Sequence, residues 1–161
     1  MTGLIAVAIL TIAAGTVYAV RRRYLVVTVV GPSMTPTFHD GDRVLVRRRD
    51  GLRCRTGDVV VLRAPEQPGW RDRPPEWHLK RVAAVAGEPV PAAVERACGQ
   101  PSGSPVPADH LVVLGDNVVS YDSRSWGFLP ADRVLGAVLR RLTKGRGEPG
   151  TAGAPRTRSA A

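Results

Sequence analysis

The chain reads as a mainly β protein. Its 161 residues include 17 glycines and 14 prolines, a density of chain-reversing residues that favours many short elements. Between those turns the apolar residues come in short, valine-rich runs, the pattern of strands. After residue 25 no segment carries a long apolar stripe at helical spacing. The length fits one domain, and a hydrophobic content of 43% suffices for a core.

In chain order, residues 3–20 carry no charge and are just long enough for a short transmembrane helix, ended by Arg21, Arg22 and Arg23. A cleavable secretory signal is the competing reading, with Val17-Tyr18-Ala19 as a poor cleavage site; the missing basic residues ahead of the apolar run argue against it. Strands are expected at 24–30, 43–47, 58–63, 78–86, 110–114 and 134–139, each rich in valine or other strand formers. Residues 64–75 hold four prolines and read as a surface loop, and 97–107 as a second turn-rich stretch. The expected organisation is a membrane anchor with a basic flank at 1–23, a β-rich domain at 24–142 and a basic, disordered tail at 143–161.

The net charge is +9 and the isoelectric point about 10.9. The arginines fall at 21–23, at 47–49 and from Arg140 onward rather than on one helix, and no nucleic-acid module is recognisable, so nucleic acid is not an expected partner. Anionic lipid headgroups suit a basic domain held close to a bilayer. Cys54 and Cys98 permit one disulfide outside the cytoplasm and equally well two free thiols. Neither they nor the histidines have metal-ligand spacing, and phosphate-loop and dinucleotide fingerprints are absent, so no cofactor or metal is implied.

Two residues carry the chemical reading. Ser33 stands in the turn Gly31-Pro32-Ser33-Met34-Thr35-Pro36, and Lys80 in the strand-like run that starts at His78. A serine needs a base to take its proton, and the conventional candidates are His39, His78 and His110. A lysine serves if it is buried: an exposed amine has a pKa of about 10.4, and desolvation disfavours its charged form. A fall of about three units brings it to the operating pH. Alternation puts His78, Lys80, Val82 and Ala84 on one strand face and Leu79, Arg81, Ala83 and Val85 on the other, without choosing which face is buried.

Four segments, Gly31-Pro32-Ser33-Met34-Thr35-Pro36-Thr37-Phe38, Gly41-Asp42-Arg43-Val44-Leu45-Val46, Lys80-Arg81-Val82, and the stretch from Gly115-Asp116-Asn117 through Ser120-Tyr121-Asp122-Ser123-Arg124 to Gly127, resemble the successive boxes of type I bacterial signal peptidases. They occur in the family's order. The resemblance implies a signal-peptidase-like, LexA-like β fold with one N-terminal transmembrane helix. It makes Ser33 the nucleophile and Lys80 its base. Ser120 orients the lysine, Asp122 and Arg124 form a supporting network, and the Ser33 backbone N–H serves the oxyanion. It implies a single-pass plasma-membrane enzyme with an extracytoplasmic catalytic domain, acting on the signal peptides of exported preproteins and cutting after small residues, with alanine-like side chains one and three positions before the cut. The positive-inside rule, applied to the three arginines that follow the apolar run, favours the opposite orientation.

Two positions depart from the pattern. Gly31 stands where some members carry a serine that donates to the oxyanion. Val118 stands where arginine is usual, and Val118 and Val119 are expected to pack beneath their loop. Two rival readings remain: a processing peptidase of the same chemistry dedicated to one substrate, and a catalytically silent, membrane-tethered basic module.

Overall fold

Strand formers concentrated in short runs must pair with one another to satisfy their backbone groups, and in this chain they do so within one sheet. The computed structural model describes residues 2–65 and 77–145, with residues 2–8 described only as part of a helix. Helix α1 (Thr2–Arg23) leads directly into β1 (Tyr24–Thr28). It is followed by β2 (Arg43–Arg48), β3 (Val59–Arg63), β4 (Trp77–Val85), α2 (Glu95–Cys98), β5 (His110–Leu114), α3 (Ser123–Trp126), β6 (Leu129–Pro130) and β7 (Val134–Thr143). Among the described residues the strands form a seven-stranded sheet in the order β1-β2-β7-β3-β4-β5-β6, every pairing antiparallel.

All six expected strands form. β1 ends at Thr28 rather than residue 30, because the chain turns at Val29, whose N–H donates to the Asp42 carbonyl at 2.8 Å. β7 runs on to Thr143, kept in register with β2 by two bulges, so the segment expected as tail begins inside a strand. The rest of that tail, from residue 146, lies outside the described residues, as does most of the proline-rich loop expected at 64–75. β6, with two residues and a proline, shows no pattern that periodicity detects. The stretch 97–107 is turn-rich as expected and opens on the end of α2.

The expected membrane helix is met in part. Residues 2–23 do form one helix, with Ile9, Leu10 and Ile12 exposed. Among the described residues, however, no helix is long and apolar enough to cross a membrane. Residues 3–8 of the expected anchor lie outside the described side chains.

Both faces of the central strands are covered. On β3, Val60 and Leu62 join one apolar cluster with Val82, Leu111, Val113 and Leu129. Val61 points the other way and joins Met34, Phe38, Val44, Val46 and Leu79. A third cluster, of Ala84, Val90, Val94, Val106 and Val112, seats the 86–107 segment against β4 and β5. Lys80 is the register partner of Val60, so it projects on the face of the first cluster, since directly opposed residues share a face. Burial on two sides is what makes the strands near-continuous in valine. Leu62 is fully buried on β3, the central strand of the seven, and Leu62→Ala is expected to cost about 2–5 kcal/mol of stability, read as a lowered midpoint in urea unfolding.

Candidate active site

Ser33 sits in the loop that joins β1 to β2. Gly31 takes a φ of +82°, a conformation that glycine adopts without strain, and its N–H donates to Asp40 Oδ1 at 2.7 Å. Met34 is buried in the second cluster and holds the loop down, while Thr35 N–H closes a turn on the Pro32 carbonyl at 3.0 Å. Ser33 itself is half-buried. Among the described residues neither its hydroxyl nor its N–H makes a hydrogen bond, and none of the three histidines bonds to it.

Lys80 is 1% exposed. Its Nζ donates to Ser120 Oγ at 2.7 Å, and burial lowers its pKa to about 8, against the opposing pull of Asp122. Of the neighbours expected to desolvate it, Val82 shares its face; Ala84 is displaced by a bulge between Val82 and Ala84 and belongs to the third cluster. No direct hydrogen bond joins Lys80 to the Ser33 hydroxyl among the described residues.

The loop after β5 brings the remaining residues together. Asp122 is fully buried and accepts from Gly115 N–H at 2.7 Å, from Arg124 N–H at 3.0 Å, and from Arg124 Nε at 2.9 Å and Nη2 at 2.6 Å. Burial would raise its pKa, but the hydrogen bonds from Arg124 and Gly115 outweigh it and hold the carboxyl below the usual range. Arg124 Nη2 also reaches the Asn117 carbonyl at 3.1 Å. Asn117 in turn binds the serine loop: its N–H donates to the Ser33 carbonyl at 3.1 Å and its Nδ2 to the Pro32 carbonyl at 3.2 Å.

Gly115 lies at the crossing of these parts. A Cβ there would stand 2.1 Å from Ser120 Oγ and 2.6 Å from the Ser33 carbonyl oxygen, so the lysine's partner and the serine backbone converge on one glycine. The five residues expected at the site are thus gathered at one end of the sheet. Such a grouping supplies a half-buried hydroxyl, an amine with its pKa lowered to about 8 and, among the described residues, an unengaged N–H beside the hydroxyl. Those are the requirements of acyl transfer without a metal ligand set.

Sequence reasoning missed one pair. Arg81, next to Lys80 but on the opposite face, forks onto Asp116 at 2.9 and 2.7 Å and also reaches the Gly57 carbonyl at 3.1 Å. The Arg81 hydrogen bond is the main reason that Asp116 stays below the usual carboxylate range. Opposite charges inside two of the four matched segments were the available signal. Val118 and Val119 correct an expectation: they are 82% and 80% exposed and do not pack beneath their loop, because the turn built on Asn117 points them outward. Cys54 and Cys98 are free thiols, and burial pushes the Cys54 thiol up to about 11, which rules out a reactive thiolate. A cavity of about 830 Å³, lined by Arg48, Asp50, His110 and Asp132 among others, lies at the other end of the strands and shares no residue with this site.

A family model described as "Signal peptidase, peptidase S26" matches residues 2–96 and 91–142. The chain is 35% identical over 117 residues to mitochondrial ATP-independent inner membrane protease subunit 1b of Arabidopsis thaliana, covering 70% of this chain and 66% of that one. It is 32% identical over 131 residues to a signal peptidase I of Leptolyngbya laminosa, covering 68% and 64%. Thylakoidal processing peptidase 1 of Arabidopsis thaliana is 27% identical over 132 residues, covering 68% and 39%. The chain therefore spans no more than about two thirds of the length of these relatives.

Gly115→Ala places a methyl group where Ser120 Oγ and the Ser33 carbonyl now meet. Overpacking of this kind costs about 1–3 kcal/mol; thermal unfolding is expected to show that loss, and a crystal structure of the variant to show Ser120 displaced from Lys80.

Proposed function

The chain belongs to the signal peptidase family, peptidase S26, and from that membership we propose that it is a membrane-bound serine endopeptidase that removes signal peptides from exported preproteins through a Ser33–Lys80 dyad. The observation that carries this reading is the fully buried Lys80 amine, 2.7 Å from Ser120 Oγ, on a loop that also binds the Ser33 carbonyl.

The reaction follows from the groups in place. Lys80 Nζ, neutral, takes the proton from Ser33 Oγ as that oxygen bonds to the scissile carbonyl carbon. The negative charge that develops on the carbonyl oxygen is met by the Ser33 N–H. Collapse breaks the C–N bond, and the lysine ammonium returns its proton to the leaving amine. A water molecule, deprotonated by Lys80, then attacks the Ser33 ester; the bond between Ser33 Oγ and the acyl carbon breaks, the lysine ammonium returns its proton to Ser33 Oγ, and the acid is released. Ser120 aims the lysine lone pair, while Asp122 and Arg124 fix the loop that carries Ser120.

Cleavage after alanine-like residues is the specificity that the family resemblance implies. The N-terminal helix, with residues 3–20 uncharged, serves as the anchor, and Val30, Val118 and Val119, all highly exposed beside Ser33, suit a site that faces lipid. The catalytic domain lies on the extracytoplasmic side, against the arginine bias, because that is where a translocated signal peptide becomes accessible. A dedicated processing peptidase of the same chemistry is the second reading, favoured by the likeness to a thylakoidal processing peptidase.

Incubation of the wild type, Ser33→Ala and Lys80→Ala with a secretory precursor in lipid, with product ends identified by mass spectrometry, tests the assignment. Each substitution is expected to lower kcat by roughly a thousandfold or more; a variant that cuts as fast as the wild type removes its residue from the mechanism. Since Lys80 acts as the neutral base and its pKa is about 8, kcat/KM should level off above that pH and fall about tenfold per unit below it. A flat profile between pH 6 and 8 would contradict the lysine base.

A further inference from the structure

Arg141 lies on β7 outside the four segments that carry the resemblance, yet its guanidinium is aimed at the loop that holds Ser33. It donates to the Thr37 carbonyl, stands 4.9 Å from the centroid of the Phe38 ring and pairs through Nε with Asp42 Oδ2 at 3.1 Å. Asp42 is 1% exposed, and the same carboxylate accepts from His39 N–H at 3.0 Å and Gly145 N–H at 2.7 Å. Its backbone carbonyl takes the Val29 N–H. One arginine thus reaches three consecutive features of the chain between Met34 and β2, all on the serine loop.

Arg141 acts there together with the burial of Phe38 in the second cluster, the Gly41 N–H on the Val29 carbonyl at 2.9 Å and Arg81 Nη2 on Thr37 Oγ1 at 3.5 Å. Phe38 N–H bonds back to the Met34 carbonyl at 2.8 Å, so whatever fixes Phe38 also fixes the turn directly after Ser33. On the far side the loop is tied by Asn117. A guanidinium over an aromatic face and against a desolvated carboxylate is directional in a way that an ammonium is not.

We propose that Arg141 is a positioning residue for the nucleophile: with Asp42, it clamps residues 37–42 so that Ser33 Oγ is presented to the substrate carbonyl at the angle that Lys80 can serve. This rests on the reading of Ser33 as the nucleophile. Because Arg141 touches no reacting atom, its loss should act on attack geometry and leave substrate binding largely unchanged.

The test is steady-state cleavage of a signal-peptide substrate by the full chain as wild type, Ser33→Ala, Arg141→Met, Arg141→Lys and Val106→Ala, the last a core truncation in the third cluster, remote from the loop. Displacement of a reacting group by about 1 Å costs up to a hundredfold. Arg141→Met is therefore expected to lower kcat about 10- to 100-fold with KM within threefold. Arg141→Lys should lie between it and the wild type, and Val106→Ala should keep wild-type kcat at a comparable loss of stability. A kcat for Arg141→Met within twofold of the wild type, or a loss equal to that of Val106→Ala, overturns the proposal. Should Arg141→Met not fold, Arg141→Lys decides alone: reduced kcat at unchanged KM supports the clamp, and full activity overturns it. Wild-type activity of Ser33→Ala would instead sink the nucleophile assignment beneath it.

Discussion

A lysine amine withdrawn from water is the constraint around which the site is arranged. An isolated buried ammonium costs several kcal/mol, and proteins relieve that cost by pairing the charge or by letting the group lose its proton. Here the nearest carboxylate, Asp122, is already saturated by Arg124 and the Gly115 N–H. It therefore pulls on the lysine proton less than an unpaired neighbour would. The direct partner of Lys80 is a neutral hydroxyl, which a neutral amine satisfies as well as a charged one. Desolvation prevails, and the amine titrates near 8.

The other contacts keep that arrangement narrow. Gly115 has no side chain because Ser120 and the Ser33 carbonyl occupy the space. Asn117 spans from the Ser120 turn to the serine loop. Arg81 joins the lysine strand to Asp116 and to the Gly57 carbonyl, and from the opposite side Arg141 reaches Thr37 and Asp42. Two arginines, Arg81 on β4 and Arg141 on β7, thus tie the loops around the site to the sheet, with the apolar clusters beneath supplying the bulk of the stability.

Legibility followed physical range. The strands were readable because valine-rich runs bounded by Gly and Pro are a local signal; β6 and the four-residue helices α2 and α3 were not, because so few residues carry no period. The burial of Lys80 could not be read from alternation: Val60 and Val61 are both buried, on opposite faces, so hydrophobicity does not distinguish the two sides of β3 or β4. Ser33, Lys80, Ser120, Asp122 and Arg124 stood out through the resemblance, whereas Arg81 with Asp116 and Arg141 with Asp42 are pairs 35 and 99 residues apart, recognisable only once the sheet order is known. The outward turn of Val118 and Val119 depends on the Asn117 side chain, a detail that composition does not encode.

The place of β7 has a consequence for biogenesis. It pairs with β2 on one side and β3 on the other, so the backbone ladder that joins the half of the sheet bearing the serine loop to the half bearing the lysine runs through this strand. β2 and β7 lie almost a hundred residues apart in the chain, as the Asp42–Arg141 pair shows, and pairing over such a separation is the slow kind.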